Sequence, residues 1–298
     1  MILLQARRGA GRGEAAAVRS ADAAALPAAH PRLVTLVAAV ILCLAIALAP
    51  GRGAAGDPCC GVEAIGLLWL PANVEAVAPI PAVIALHDAL GIDPRGWRYA
   101  EQLTAAGIAV LHRELYDTSA DGAGPSTDDD AAALARLAAA AAALAEDPRF
   151  GGMRLGILAF GAAGGTALRA AAAPGLGEHV AALVLLYPGC ATLRDAAEAM
   201  PRLPVLLLHG DADPANPLAD CAALVARLSR GAPVRHIRHA GAGYALDLPP
   251  SGVEEVMTMP WPGSPGRWLP VSHRPAIAEF SAAQVAGFLA RALLPQPR

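Results

Sequence analysis

No lysine occurs anywhere in the 298-residue chain; all 23 basic side chains are arginine. That absence excludes a Schiff-base lysine, a serine–lysine dyad and a phosphate-loop lysine, because each needs an ammonium group. Aromatic residues make up only 4%, which leaves few platforms for stacked single-stranded nucleic acid. Charged residues are 16% and the net charge is −3, so no basic field invites nucleic acid. No C-x-x-C pair supports a zinc knuckle or a thioredoxin-type site. What the chain has is a hydrophobic fraction of 55%, enough for a large core and too apolar for disorder. Its length allows one large α/β domain or two small ones.

Leu33 to Ala49 is an uninterrupted uncharged run, preceded by Arg7, Arg8, Arg12, Arg19 and Arg32. Positive residues before an apolar run fit a signal peptide or a membrane anchor. Gly53-Ala54-Ala55 before Gly56 is a better cleavage candidate than Ala47-Leu48-Ala49, which Pro50 follows. Residues 1–55 therefore read as a tail plus signal peptide or anchor, and the rest as exported to an oxidising compartment. The membrane enters only through residues 33–49. Outside the apolar run, Cys59, Cys60, Cys190 and Cys221 remain. A bridge between adjacent Cys59 and Cys60 is strained, so Cys190–Cys221 is the expected disulfide. Two free buried thiols is the competing reading.

Beyond residue 56, strands alternate with helices. Short apolar runs predict strands over Ile65–Leu70, Ala82–His87, Ile108–His112, Arg154–Phe160, Ala181–Tyr187, Pro204–His209 and Val234–His239. Helices are predicted over Arg95–Ala106, Asp128–Glu146, Gly165–Ala173, Pro217–Leu228 and Ala276–Leu294, with Thr127 placed to cap the second. This order implies a mostly parallel α/β sheet covered on both faces, in one domain over 57–295. Thr118–Pro125 and Pro249–Pro270 read as irregular loops.

In such a sheet, ligands bind beyond the carboxyl ends of the strands. There, Leu155 to Gly165 reads as a buried strand, a tight turn and a helix, the setting in which a hydrolase presents its nucleophile. No Ser, Cys or Thr lies between Ala159 and Gly165. At Phe160-Gly161-Ala162-Ala163-Gly164 the chain resembles the dienelactone hydrolase family of α/β-hydrolases, whose elbow reads G-F-C-x-G-G or G-x-S-x-G. Anchoring on Phe160 puts Gly161 at the nucleophile position; anchoring on Gly164-Gly165 puts Ala162 there. Both side chains are inert.

The rest of the motif order is similar too. His209-Gly210-Asp211-Ala212-Asp213 matches the segment carrying the triad acid, at Asp213. The competing reading is that Asp213 or Asn216 caps the next helix. Ala240 to Asp247 matches the segment carrying the catalytic histidine, and Tyr244 stands in its place. A tyrosine, with a pKa near ~10, is a poor general base at neutral pH. His87-Asp88-Ala89 matches the loop that supplies an oxyanion-hole N–H, so His87, Asp88, Ala89 and Ala162 are the expected pocket residues. Tyr187-Pro188-Gly189-Cys190 and Pro217 to Cys221 look like secreted members, which supports the disulfide. Thr166, Cys190 and Ser272 are the substitute nucleophiles to consider. His87, His112 and His209 end strands near acids, but no helical H-x-x-x-H pair supports a metal, and no cofactor is expected. The resemblance implies a hydrolase fold; the replaced residues imply a non-hydrolytic protein holding a small molecule at the carboxyl edge. An ester or lactone hydrolase with non-standard residues is the alternative.

Overall fold

The computed structural model describes residues 61–72, 79–88, 90–116, 129–152, 154–196, 200–250, 257–264, 266–271 and 273–295. All fall in a compact unit, Gly56–Arg298. The apolar run 33–49, Cys59, Cys60, Ala89, Thr127 and Ser272 lie outside the described residues.

In chain order the strands are β1 (Leu67–Trp69), β2 (Ala82–His87), β3 (Ala109–Glu114), β4 (Leu155–Phe160), β5 (Val180–Leu186), β6 (Val205–Gly210) and β7 (Val234–His239), with β8 (Thr258–Pro260) and β9 (Trp268–Pro270) as a separate pair. The helices are α1 (Pro94–Ala105), α2 (Asp129–Glu146), α3 (Ala163–Ala172), α4 (Cys190–Ala196), α5 (Leu218–Leu228) and α6 (Pro275–Leu293). The main sheet runs β1-β3-β2-β4-β5-β6-β7. Within it, only β1 is antiparallel to its neighbour.

Every residue of β2, β4, β5 and β6 is buried. That is why these strands read as unbroken apolar runs: helices cover both faces, and alternation disappears. One face places Ile84, Ile157, Leu183 and Leu207 against Leu137 of α2, Ala167 of α3 and Leu224 of α5. The other places Val83, Leu158, Val184 and Leu206 against Leu103 of α1 and Val285 of α6. The α6 helix is long and apolar enough to cross a membrane by length and composition. Here it packs on β4, β5, β6 and α1.

Two features differ from the sequence reading. The stretch read as an irregular loop over Pro249–Pro270 contains the β8–β9 pair, whose three-residue strands are too short to show a period. The α4 helix has no signal in the sequence pattern, because its start depends on a distant side chain described below. Cys190 and Cys221 form a disulfide with Cα atoms 4.9 Å apart, joining the starts of α4 and α5. A cross-link closing a loop of this length stabilises a fold by about 2–4 kcal/mol.

Candidate functional site

The β4 strand delivers Phe160 into a sharp turn. Gly161 has φ +48°, Ala162 is back in the helical region, and α3 begins at Ala163. The left-handed backbone singles out Gly161 rather than Ala162 as the residue at the tip of the bend. A strained strand-to-helix turn is where this kind of scaffold exposes a nucleophile. A Cβ built on Gly161 would lie 2.5 Å from Tyr244 Oη and 2.7 Å from Asp88 Oδ2. The volume a nucleophilic side chain would use is thus occupied by two buried polar groups.

Tyr244 follows β7 and is 1% exposed. Burial, first of all, and then the negative charge of Asp88 push its hydroxyl pKa well above the usual value, so it stays protonated. Its hydroxyl makes no hydrogen bond among the described residues. Asp213 does not turn toward it. Asp213 Oδ1 accepts from the backbone N–H of Ala215 (2.9 Å), and Oδ2 accepts from Asn216 Nδ2 (2.8 Å). Asn216 Oδ1 in turn accepts from the N–H groups of Gly189 (2.9 Å) and Cys190 (3.2 Å). Asp213 therefore orients the amide that satisfies the start of α4. This is close to the helix-capping alternative, but the capped helix is α4, 26 residues back, and not the next one.

Burial raises the Asp213 pKa to about 6. A carboxyl whose folded pKa exceeds its unfolded value binds a proton more tightly when folded, so stability rises as pH falls through 6 toward 3.8. Relative to Asp213→Asn, which cannot titrate, the native protein should gain about 1 kcal/mol between pH 7.5 and pH 5 in urea titrations. A constant difference across that range would show that Asp213 is solvated.

Asp88 is held by Arg95, which is fully buried in the first turn of α1. Arg95 Nη2 and Nη1 donate to the two oxygens of Asp88 at 2.8 and 3.0 Å. Arg95 Nε donates to both oxygens of Asp93 at 2.9 Å, and Nη2 also pairs with Asp93. Beside this pair, Asp247 accepts hydrogen bonds from Tyr99 and Tyr187 hydroxyls, both at 2.7 Å. Burial raises the Asp247 pKa. Tyr187, at φ +38°, places its hydroxyl 3.4 Å from Arg95 Nη1. Arg95, Tyr99, Tyr187 and Asp247 escape the sequence reading. The one local cue is Asp93-Pro94 before Arg95, a helix start that fixes where the guanidinium enters.

The histidines pair, but not as a metal site. His87 Nε2 and His112 Nδ1 are 2.9 Å apart; His209 Nε2 and His236 Nε2 are also 2.9 Å apart. No group of three or more His, Cys, Asp and Glu side chains able to hold a metal occurs among the described residues. His239 Nε2 lies 2.9 Å from Ser281 Oγ, the kind of contact a base makes with a nucleophile. Ser281 has a single proton and also reaches Ile277 O at 2.7 Å, so that carbonyl and His239 compete for it. Of the substitute nucleophiles, Thr166 is buried against Tyr116 (3.1 Å) and Arg169 (3.2 Å), and Cys190 is in the disulfide.

The described residues line cavities of about 320 and about 430 Å³. The first is lined by Phe150, Leu155, Leu176 and His179, the second by Arg154, Glu178 and Leu203. Both lie at the amino ends of β4 to β6, across the sheet from Gly161.

The family model for the dienelactone hydrolase family matches residues 66–255. No curated protein matches the chain. Among solved structures, dienelactone hydrolase from Anabaena variabilis is 19% identical, with a TM-score of 0.53 over 76% of this chain and 90% of that one. Est1E from Butyrivibrio proteoclasticus is 15% identical, with a TM-score of 0.51 over 75% and 92%. The dienelactone hydrolase-like promiscuous phosphotriesterase P91, from metagenomic libraries, is 21% identical, with a TM-score of 0.53 over 72% and 88%. At these identities the structures speak for the fold, and the match over 66–255 speaks for descent. The chain belongs to the dienelactone hydrolase family.

Proposed function

We propose that this chain is an exported, non-hydrolytic member of its family, which holds a small molecule at the carboxyl edge of the sheet. One observation carries the reading: the tip of the bend is Gly161, and the Tyr244 hydroxyl and Asp88 carboxylate fill the space where an attacking atom would sit. Removing a nucleophile or base of this kind typically costs about 10⁶ in turnover. Two further observations support it. Asp213 is committed to Asn216 and the backbone, and Cys190 is held in the disulfide. Tyr244 supplies a hydroxyl, unpaired among the described residues, to a ligand. Export is supported by the arginine-flanked apolar run 33–49 and by the Cys190–Cys221 bridge, which suits an oxidising compartment.

The test is direct. Purified protein at pH 7.5 should hydrolyse 4-nitrophenyl acetate no faster than a heat-denatured control and should take no label from a fluorophosphonate probe. Turnover that disappears in Asp213→Ala, or a probe adduct on a single residue, would overturn the proposal.

A further inference from the structure

Beneath α1 lies a buried pair that the site does not explain. His87 closes β2 and His112 lies in β3, and both imidazoles are fully buried. They share one hydrogen bond, 2.9 Å from His87 Nε2 to His112 Nδ1. His87 Nδ1 and His112 Nε2 have no hydrogen-bond partner among the described residues. Whichever ring donates, one buried N–H and one buried lone pair remain unsatisfied, an arrangement that costs free energy. The α1 helix sits directly on the pair. A Cβ on Gly96 would lie 2.7 Å from His87 Cε1 and 2.8 Å from His112 Cε1. Gly96 is itself buried, so the helix backbone closes over the rings.

The residue before Gly96 is Arg95, the group that fixes Asp88 against the space above Gly161. We propose that the His87–His112 pair is an acid-sensitive seat for α1, and that unseating α1 withdraws Arg95 from Asp88 and opens the site above Gly161. The proposal rests on the reading of that site as a non-hydrolytic one whose space above Gly161 is filled by Tyr244 and Asp88, and says when that space opens.

The charge environment supports this direction. Asp93, which caps α1, favours the charged imidazoles, and Arg95 of that helix opposes the charge on His87. The faces from β1 and β4 are the uncharged rings of Trp69 and Phe160. Burial dominates, holding His87 at about 4 and His112 at about 3. A histidine whose folded pKa is depressed keeps its seat above the unfolded value of about 6.5 and loses it as pH falls toward the folded value. Each imidazole exposed by opening then favours the open form by up to about tenfold per pH unit.

Hydrogen exchange followed by mass spectrometry, corrected for the intrinsic pH dependence of amide exchange, tests the idea on the full chain. Between pH 6 and pH 5, opening of α1 amides should rise roughly 10–100-fold, together with amides of the turn 161–166. Amides of α2 should keep their protection. His112→Asn and His87→Gln should each remove about half of the logarithmic rise. If α1 does not respond, if α2 opens to the same extent, or if the turn stays protected while α1 opens, the proposal is wrong. The native protein alone decides between these outcomes, so a variant that misfolds leaves the test intact. The readout is opening and not turnover, so its failure leaves the non-hydrolytic reading standing, and esterase activity at pH 7.5 would overturn that reading alone.

Discussion

Arg95→Leu is expected to destabilise the protein by about 3–5 kcal/mol, the cost of removing one partner from a buried charge pair. Asp88 is 4% exposed, and Arg95 is the only cation it pairs with among the described residues. Leucine fills part of the volume and supplies none of the donors that Asp88 and Asp93 require. For a domain of this size that loss corresponds to roughly 10 °C in melting temperature. Adding Asp88→Asn should recover part of it, because a neutral amide is less costly to bury unpaired than a carboxylate. Thermal and urea denaturation of the two variants would check both statements. A loss below about 1 kcal/mol for Arg95→Leu would mean that water already reaches these carboxylates, and the picture of a sealed site would fail.

The same network shows where a sequence is legible and where it is not. The strands β2, β4, β5 and β6 are readable because each is a run whose residues are all buried. Gly161, Asp213 and Tyr244 are readable as positions, because strand ends in a parallel sheet deliver residues to one edge in a fixed order. What each position does is not readable. Asp213 looks like an acid waiting for a histidine; its partners are Asn216 and a backbone N–H, a choice made by the packing of α4. Arg95 carries no sign in the sequence that it is buried, since arginine rarely is. His87 and His112 are 25 residues apart in the sequence. They meet because β2 and β3 are parallel, with Ala85 opposite His112, which puts the rings on one face a diagonal step apart. Pairings of this kind depend on strand register, and composition does not encode register.

Gly161→Ser should cost about 2–6 kcal/mol, the sum of left-handed strain and overpacking. The overpacking part has two identified sources, the Tyr244 hydroxyl at 2.5 Å and Asp88 Oδ2 at 2.7 Å from the new Cβ. Tyr244→Phe removes the first of these atoms, and the hydroxyl makes no hydrogen bond among the described residues, so the change alone should cost little. In the Tyr244→Phe background, Gly161→Ser should therefore lose less, by about 1–3 kcal/mol of coupling in a double-mutant cycle. Additive losses would show that the hydroxyl is not what fills the position. Tyr244→His serves a different end, since it clears the same atom and supplies a base. Gly161→Ser with Tyr244→His should hydrolyse 4-nitrophenyl acetate above the level of Gly161→Ser alone. The rate should stay low: Asp213 faces Asn216, and a serine–histidine pair without an orienting carboxylate loses about 10⁴ in turnover. A folded double variant with no gain would show that Gly161 and Tyr244 do not converge on one reacting centre. It would then be the motif alignment, and not just the chemistry, that is wrong.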